Sequence, residues 1–115
     1  MLKKRHRLNL ALSENAAIFQ RGQARRFYSD FFIAYVRDNG ESLLTSLVVP
    51  QACEKSAARR NALRRRLLIT FEEELKSLPS SPQKDIVVVL KRRFSPDLSK
   101  LRADLRQLCA NFTKL

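Results

Sequence analysis

The chain has 115 residues, 44% hydrophobic and 30% charged, which suits one globular domain rather than a disordered segment. Against 23 Lys and Arg stand 11 Asp and Glu, a net charge of +12; such an excess repels itself in the compact state and is expected to meet a polyanion. Apolar runs such as Ile86–Leu90 fall far below the ~20 residues of a membrane span, and Leu8–Phe19 is broken by Asn9, Ser13, Glu14 and Asn15, so no signal-peptide core is expected.

The first twelve residues read as a basic arm, since Lys3, Lys4, Arg5 and Arg7 meet no acid there. Ser13 is the expected N-cap of a short helix over about 13–21, with Glu14 at the positive end of its dipole and Gly22 closing it in the left-handed conformation. Arg25–Tyr28 is a candidate short strand. Phe31–Val36, built from Phe, Ile, Tyr and Val, is a second. Asp38-Asn39-Gly40 signals a hairpin turn, which makes Ser42–Val49 the expected partner strand, stopped by Pro50. Over Ser56–Ser77 the residues Leu63, Leu67, Phe71 and Leu75 recur four apart, the stripe of an amphipathic helix. Leu78–Pro82 is a loop by composition, and the β-branched run Ile86–Leu90 predicts a buried strand. Ser95-Pro96-Asp97 opens a last helix, with Ser95 as cap and Pro96 in its first turn, and Leu98, Leu101, Leu105, Leu108 and Phe112 as its apolar side. The order helix, two or three strands, helix, strand, helix predicts an α/β (α+β) two-layer sandwich, a single domain over residues 1–115.

Few side chains suit catalysis by the protein. Cys53 and Cys109 lack metal or redox spacing and read as reduced cytosolic thiols. The single histidine, His6, lies in the basic arm, where a solvated role is expected. Glu72, Glu73 and Glu74 are consecutive, so on a helix they point about 100° apart and do not converge on one ion.

Charge is concentrated between Lys55 and Arg66. Six basic residues (Lys55, Arg59, Arg60, Arg64, Arg65, Arg66) stand there with no acid. A merely solubilising surface mixes both signs; this block makes a local positive potential. Arg60 and Arg64 fall in the angular sector of Leu67 and Phe71, and a guanidinium is not driven into a core. The helix is therefore expected to overhang the sheet at its N-terminal end and present arginine and asparagine to a partner. The planar arginine fork takes two phosphate oxygens and stacks on bases. A membrane-surface helix would need large apolar residues opposite the charge, where Ala57, Ala58 and Ala62 stand.

Lys4-Arg5-His6-Arg7-Leu8, the segment ending Phe19-Gln20-Arg21-Gly22, Phe32-Ile33-Ala34-Tyr35 and Ala57-Ala58-Arg59-Arg60-Asn61-Ala62-Leu63-Arg64-Arg65 together resemble the bacterial ribonuclease P protein component, over nearly the whole chain. The family's Arg-Asn pair followed three and four residues later by two basic residues is matched by Arg60, Asn61, Arg64 and Arg65. The resemblance implies a left-handed βαβ crossover entered by the motif helix. It further implies a cytoplasmic ribonuclease in which the protein is an accessory subunit and contributes no catalytic residue. Its implied partners are the catalytic RNA subunit and the 5′ leader of precursor tRNA, with neither membrane nor small-molecule substrate. Magnesium would be held mainly by the RNA.

The charge cluster and this resemblance together make Arg5, Arg7, Lys55, Arg59, Arg60, Asn61, Arg64, Arg65 and Arg66 the expected RNA-binding residues, and Phe19 and Tyr35 the expected leader-binding residues, with ordinary core packing as the other reading of the two rings. The chain departs from the family pattern at Gln51-Ala52-Cys53-Glu54, at Lys55 where glycine is common, at Leu68 where a basic residue is expected, and at Asn15 in place of an aromatic. Altered leader contacts are the expected consequence. A structural RNA-binding protein of ribosomal type, with no role in cleavage, is the alternative that the same charge distribution allows.

Overall fold

A computed structural model of the chain describes residues 17–19, 22–40, 43–77, 83–91 and 97–112. Four strands, β1 (Arg25–Tyr28), β2 (Phe32–Asp38), β3 (Leu44–Val48) and β4 (Lys84–Leu90), form one sheet in the order β1-β2-β4-β3. Among the described residues two α-helices, α1 (Ala57–Lys76) and α2 (Leu98–Phe112), accompany the sheet. Of the helix expected over 13–21, only Ala17–Phe19 is described, and it is a 3-10 turn. Gly22 takes the expected left-handed conformation, φ +84°.

The sheet corrects one expectation. Gly40 does have the positive φ of a tight turn, +70°, yet β2 and β3 are not a hairpin pair. β4 lies between them, antiparallel to β2 (Tyr35 opposite Val87) and parallel to β3 (Ser46 opposite Val87). The physical reason is burial. Val87 and Val88 point to opposite faces and are both fully buried, so β4 belongs in the middle of the sheet. β3 and β4, parallel neighbours, are joined through α1.

Alternation along the strands divides the two faces. Phe32, Ala34 and Val36 of β2, with Ile86, Val88 and Leu90 of β4, face α1 and α2 and pack with Leu67, Phe71, Leu75, Leu101, Leu105 and Leu108 into the main core. On the other face the described residues form a smaller cluster. Ile18 of the 3-10 turn is fully buried there with Val87, while Tyr35, Leu44, Val48 and Val89 pack around them half-buried.

α2 starts two residues later than expected, at Leu98. Asp97 is its cap: Oδ1 accepts from the Ser99 N–H at 2.9 Å, and its carbonyl accepts from the Leu101 N–H at 3.1 Å. Ser95 and Pro96 lie outside the described residues, as does the Phe112 side chain. Asp104, buried on α2, clamps the β1–β2 turn. Its carboxylate accepts from Ser29 Oγ (2.6 Å), the Phe31 N–H (2.9 Å) and the Asp30 N–H (3.2 Å).

Candidate nucleic-acid interface

The basic block lies where α1 leaves the core. Every residue from Ala57 to Arg66 is exposed or half-buried, and full burial begins at Leu67. Leu63 marks the transition, packing half-buried against the rim of the core. Lys55, Arg59, Asn61, Arg65 and Arg66 are exposed; Arg60 and Arg64 are half-buried. The expected overhang is therefore present, because the apolar stripe only becomes continuous one turn beyond Leu63. The ion pairs Arg37–Asp85, Lys84–Asp38 and Arg106–Glu74 lie away from this block.

The loop into α1 is held by its own polar atoms. Ser56 caps the helix, its Oγ accepting from the Arg59 N–H at 3.4 Å, and Glu54 Oε1 accepts from the Ser56 N–H at 3.1 Å. Arg60 turns back along the helix, and its Nη1 donates to the carbonyls of Glu54 (3.0 Å) and Lys55 (2.9 Å). Arg60 thus shapes the loop as well as carrying charge. Leu68, where the family pattern expects a basic residue, is buried and extends the core toward Leu67 and Phe71.

A second cluster lies on the sheet face opposite the main core. Phe19, 37% exposed, meets Tyr35 edge to face with ring centroids 5.0 Å apart and planes at 86°. The Arg26 guanidinium stands 5.4 Å from the centroid of the Tyr35 ring, and its Nη2 donates to the Phe19 carbonyl at 3.2 Å. Arg26 is opposite Tyr35 in the β1–β2 register, so the three side chains share one face. The structure brings the two predicted aromatics together and adds Arg26, which sequence reasoning missed. Its signal was the period of two along β1, which puts Arg26 and Tyr28 on the same side. Arg5, Arg7 and Asn15 lie outside the described residues.

At the far end of that face an open cleft of about 930 Å³ is lined by Gly22, Ala24, Arg25, Arg37, Asn39 and Asp85. Asp85 is buried and already engaged, accepting from Arg37 Nε at 2.6 Å and Asn39 Nδ2 at 2.7 Å. The hydrogen bond and charge of Lys84 hold the Asp38 carboxyl below its ordinary value. Among the described residues no three His, Cys, Asp or Glu gather into a metal-binding group, and no described helix is long and apolar enough to cross a membrane.

The comparisons with known proteins bear on the whole chain. The family model described as Ribonuclease P matches residues 2–113. The chain belongs to the ribonuclease P protein family. Members of this family serve tRNA processing by ribonuclease P. The fold agrees with solved members. The ribonuclease P protein of Thermotoga maritima superposes with a TM-score of 0.70 at 25% identity, over 91% of this chain and 96% of that one. The Staphylococcus aureus protein gives 0.73 at 17% identity, over 93% and 94%. A Staphylococcus aureus mutant described as defective in mRNA degradation gives 0.74 at 18%, over 95% and 89%. No curated protein sequence matches.

Proposed function

We propose that this chain is the protein subunit of a ribonuclease P holoenzyme, binding the catalytic RNA with the start of α1 and the 5′ leader of precursor tRNA with the sheet face around Phe19 and Tyr35. The observation that carries the reading is the acid-free block Lys55–Arg66 on helical turns that leave the core, in a chain of this family. RNA enzyme and RNA substrate repel through their phosphates, and a +12 protein between them lowers that repulsion.

Lys55, Arg59, Arg60, Asn61, Arg64, Arg65 and Arg66 face the catalytic RNA, and Arg60 also keeps the loop beneath them in shape. Arg5 and Arg7 add charge from the N-terminal arm. Phe19 and Tyr35 stack on unpaired leader bases with little sequence preference, and Arg26 supplies a cation beside them. Magnesium, held mainly by RNA phosphates, supplies the chemistry of phosphodiester cleavage; the protein positions and neutralises. The setting is cytoplasmic.

The test is multiple-turnover cleavage of a precursor tRNA by the cognate catalytic RNA at low magnesium, with and without the protein. Strong stimulation with the correct 5′ end is expected. Tight RNA binding without stimulation would replace this reading with a structural RNA-binding role. The salt dependence supplies a second readout: six phosphate contacts give a slope of log affinity against log salt of about −4 to −5.

A further inference from the structure

Tyr28 is the most exposed large apolar side chain among the described residues, at 58%. It lies on the same sheet face as Arg26 and Tyr35, two residues beyond Arg26 along β1. The register sets it opposite Ile33, which is opposite Val89, which pairs with Val48. Ile33, Val89 and Val48 are half-buried, so the row they form with Tyr28 is an apolar strip next to the row of Arg26, Tyr35 and Val87. Two strand residues separate the rows by about 6.8 Å, a step that one nucleotide of extended single strand can follow.

The ring is also preorganised. Lys91 Nζ stands 5.7 Å from its centroid and donates to the Ser29 carbonyl. Ser29 is in turn fixed by Asp104. A cation and a clamped turn therefore hold an aromatic surface toward solvent, at little further ordering cost on binding.

We propose that Tyr28, with Lys91 beside it, is a further stacking platform that carries the single-stranded leader past the Phe19–Tyr35 pair. This rests on the reading of the sheet face as the leader track. Single-stranded RNA is the occupant that fits: the strip is apolar enough to take a base, and Arg26 and Lys91 supply positive charge for the backbone running beside it.

The test uses the holoenzyme with precursor tRNAs whose leaders grow one nucleotide at a time. Wild-type affinity is expected to rise in steps with leader length. Tyr28→Ala loses the step added by the nucleotides beyond the Phe19–Tyr35 pair, about tenfold, and matches wild type on shorter leaders. Tyr28→Phe keeps the step. A 2-aminopurine placed at the step nucleotide is quenched by wild type and not by Tyr28→Ala. A Tyr28→Ala curve that superimposes on wild type overturns the proposal and leaves the leader track standing; if that variant also self-associates less, Tyr28 serves a protein contact instead. An equal loss at every length, leaderless tRNA included, overturns it as an effect on the fold. A wild-type curve with no leader dependence overturns the track itself and this proposal with it.

Discussion

Arg60 is the motif residue whose removal should be felt in the protein alone. Its Nη1 donates to two carbonyls in the loop before α1, at 3.0 and 2.9 Å. Hydrogen bonds from charged donors contribute roughly 1.5–3 kcal/mol each, but here one nitrogen serves both acceptors and the side chain is half-exposed. A combined value of about 1–2 kcal/mol follows. Arg60→Ala should therefore lower the unfolding free energy of the isolated chain by that amount, and its Tm by about 4 °C per kcal/mol. Arg59, Arg65 and Arg66 are exposed, so alanine there should stay within about 0.5 kcal/mol of wild type, with a slight gain from helix propensity. Urea unfolding of the four single variants, at constant m-value, reads the contrast directly. In RNA binding the order changes: Arg65→Ala should reduce the salt slope by about 0.9, one phosphate's worth. An Arg60→Ala midpoint indistinguishable from that of Arg65→Ala would refute the assignment of Arg60 to the loop.

Asp104→Ala takes the acceptor from three donors of the β1–β2 turn and should cost about 3 kcal/mol in denaturant unfolding, making it one of the costliest single changes outside the apolar core. Gly22→Ala meets no atom within 4 Å of the added Cβ but keeps φ at +84°; its cost is backbone strain alone, about 1–2 kcal/mol, and Gly22→Asn should lose less. Burial, helped by the charge of Glu74, pushes the Cys109 thiol up to about 12 from an ordinary 9.0. Its neutral form is thus favoured by folding, a contribution complete below pH 9 and lost as the pH rises from 9 toward 12. The stability difference between wild type and Cys109→Ser should shrink over that range, and iodoacetamide at pH 8 should leave Cys109 unmodified in the folded chain.

Most of the fold was legible because its signals are local. The four-residue stripe Leu63, Leu67, Phe71, Leu75 defines α1, and the β-branched run Ile86–Leu90 lies within β4. Strand order was not legible from the turn. Asp38-Asn39-Gly40 does reverse the chain at the end of β2, but a turn dictates only where the chain bends, not which strand becomes the neighbour. The deciding information lay in composition. β4 reads Ile-Val-Val-Val-Leu, apolar on both faces, whereas β3 reads Leu-Thr-Ser-Leu-Val. A strand apolar on both sides belongs at the centre and displaces the more polar one to an edge. The basic block was legible as a cluster, and its exposure followed from the rule against burying guanidinium groups. Asp104 was hidden because it interrupts no pattern: it sits beside Leu105 on an otherwise regular apolar face, and its partners are 73 to 75 residues away in sequence.

The two candidate surfaces are joined by a chain of short contacts. The loop before α1 touches the end of β4, where Cys53 Sγ lies 3.6 Å from the Leu90 carbonyl and 3.3 Å from that of Lys91. Lys91 in turn reaches Tyr28 and the Ser29 carbonyl on the sheet face. Short contacts thus run from the helical turns that carry the arginines to the end of the aromatic strip. On the proposed reading of the two surfaces, such a connection sets one RNA contact against the other, and misplacing a reacting bond by about 1 Å costs on the order of a hundredfold in rate. Cys53→Val would keep a similar volume and remove both sulfur contacts. If these contacts transmit position, this variant should bind the catalytic RNA and the leader separately as wild type does, yet cleave precursor tRNA with reduced fidelity at the 5′ end. Unchanged fidelity would show that the two surfaces are set by the sheet alone.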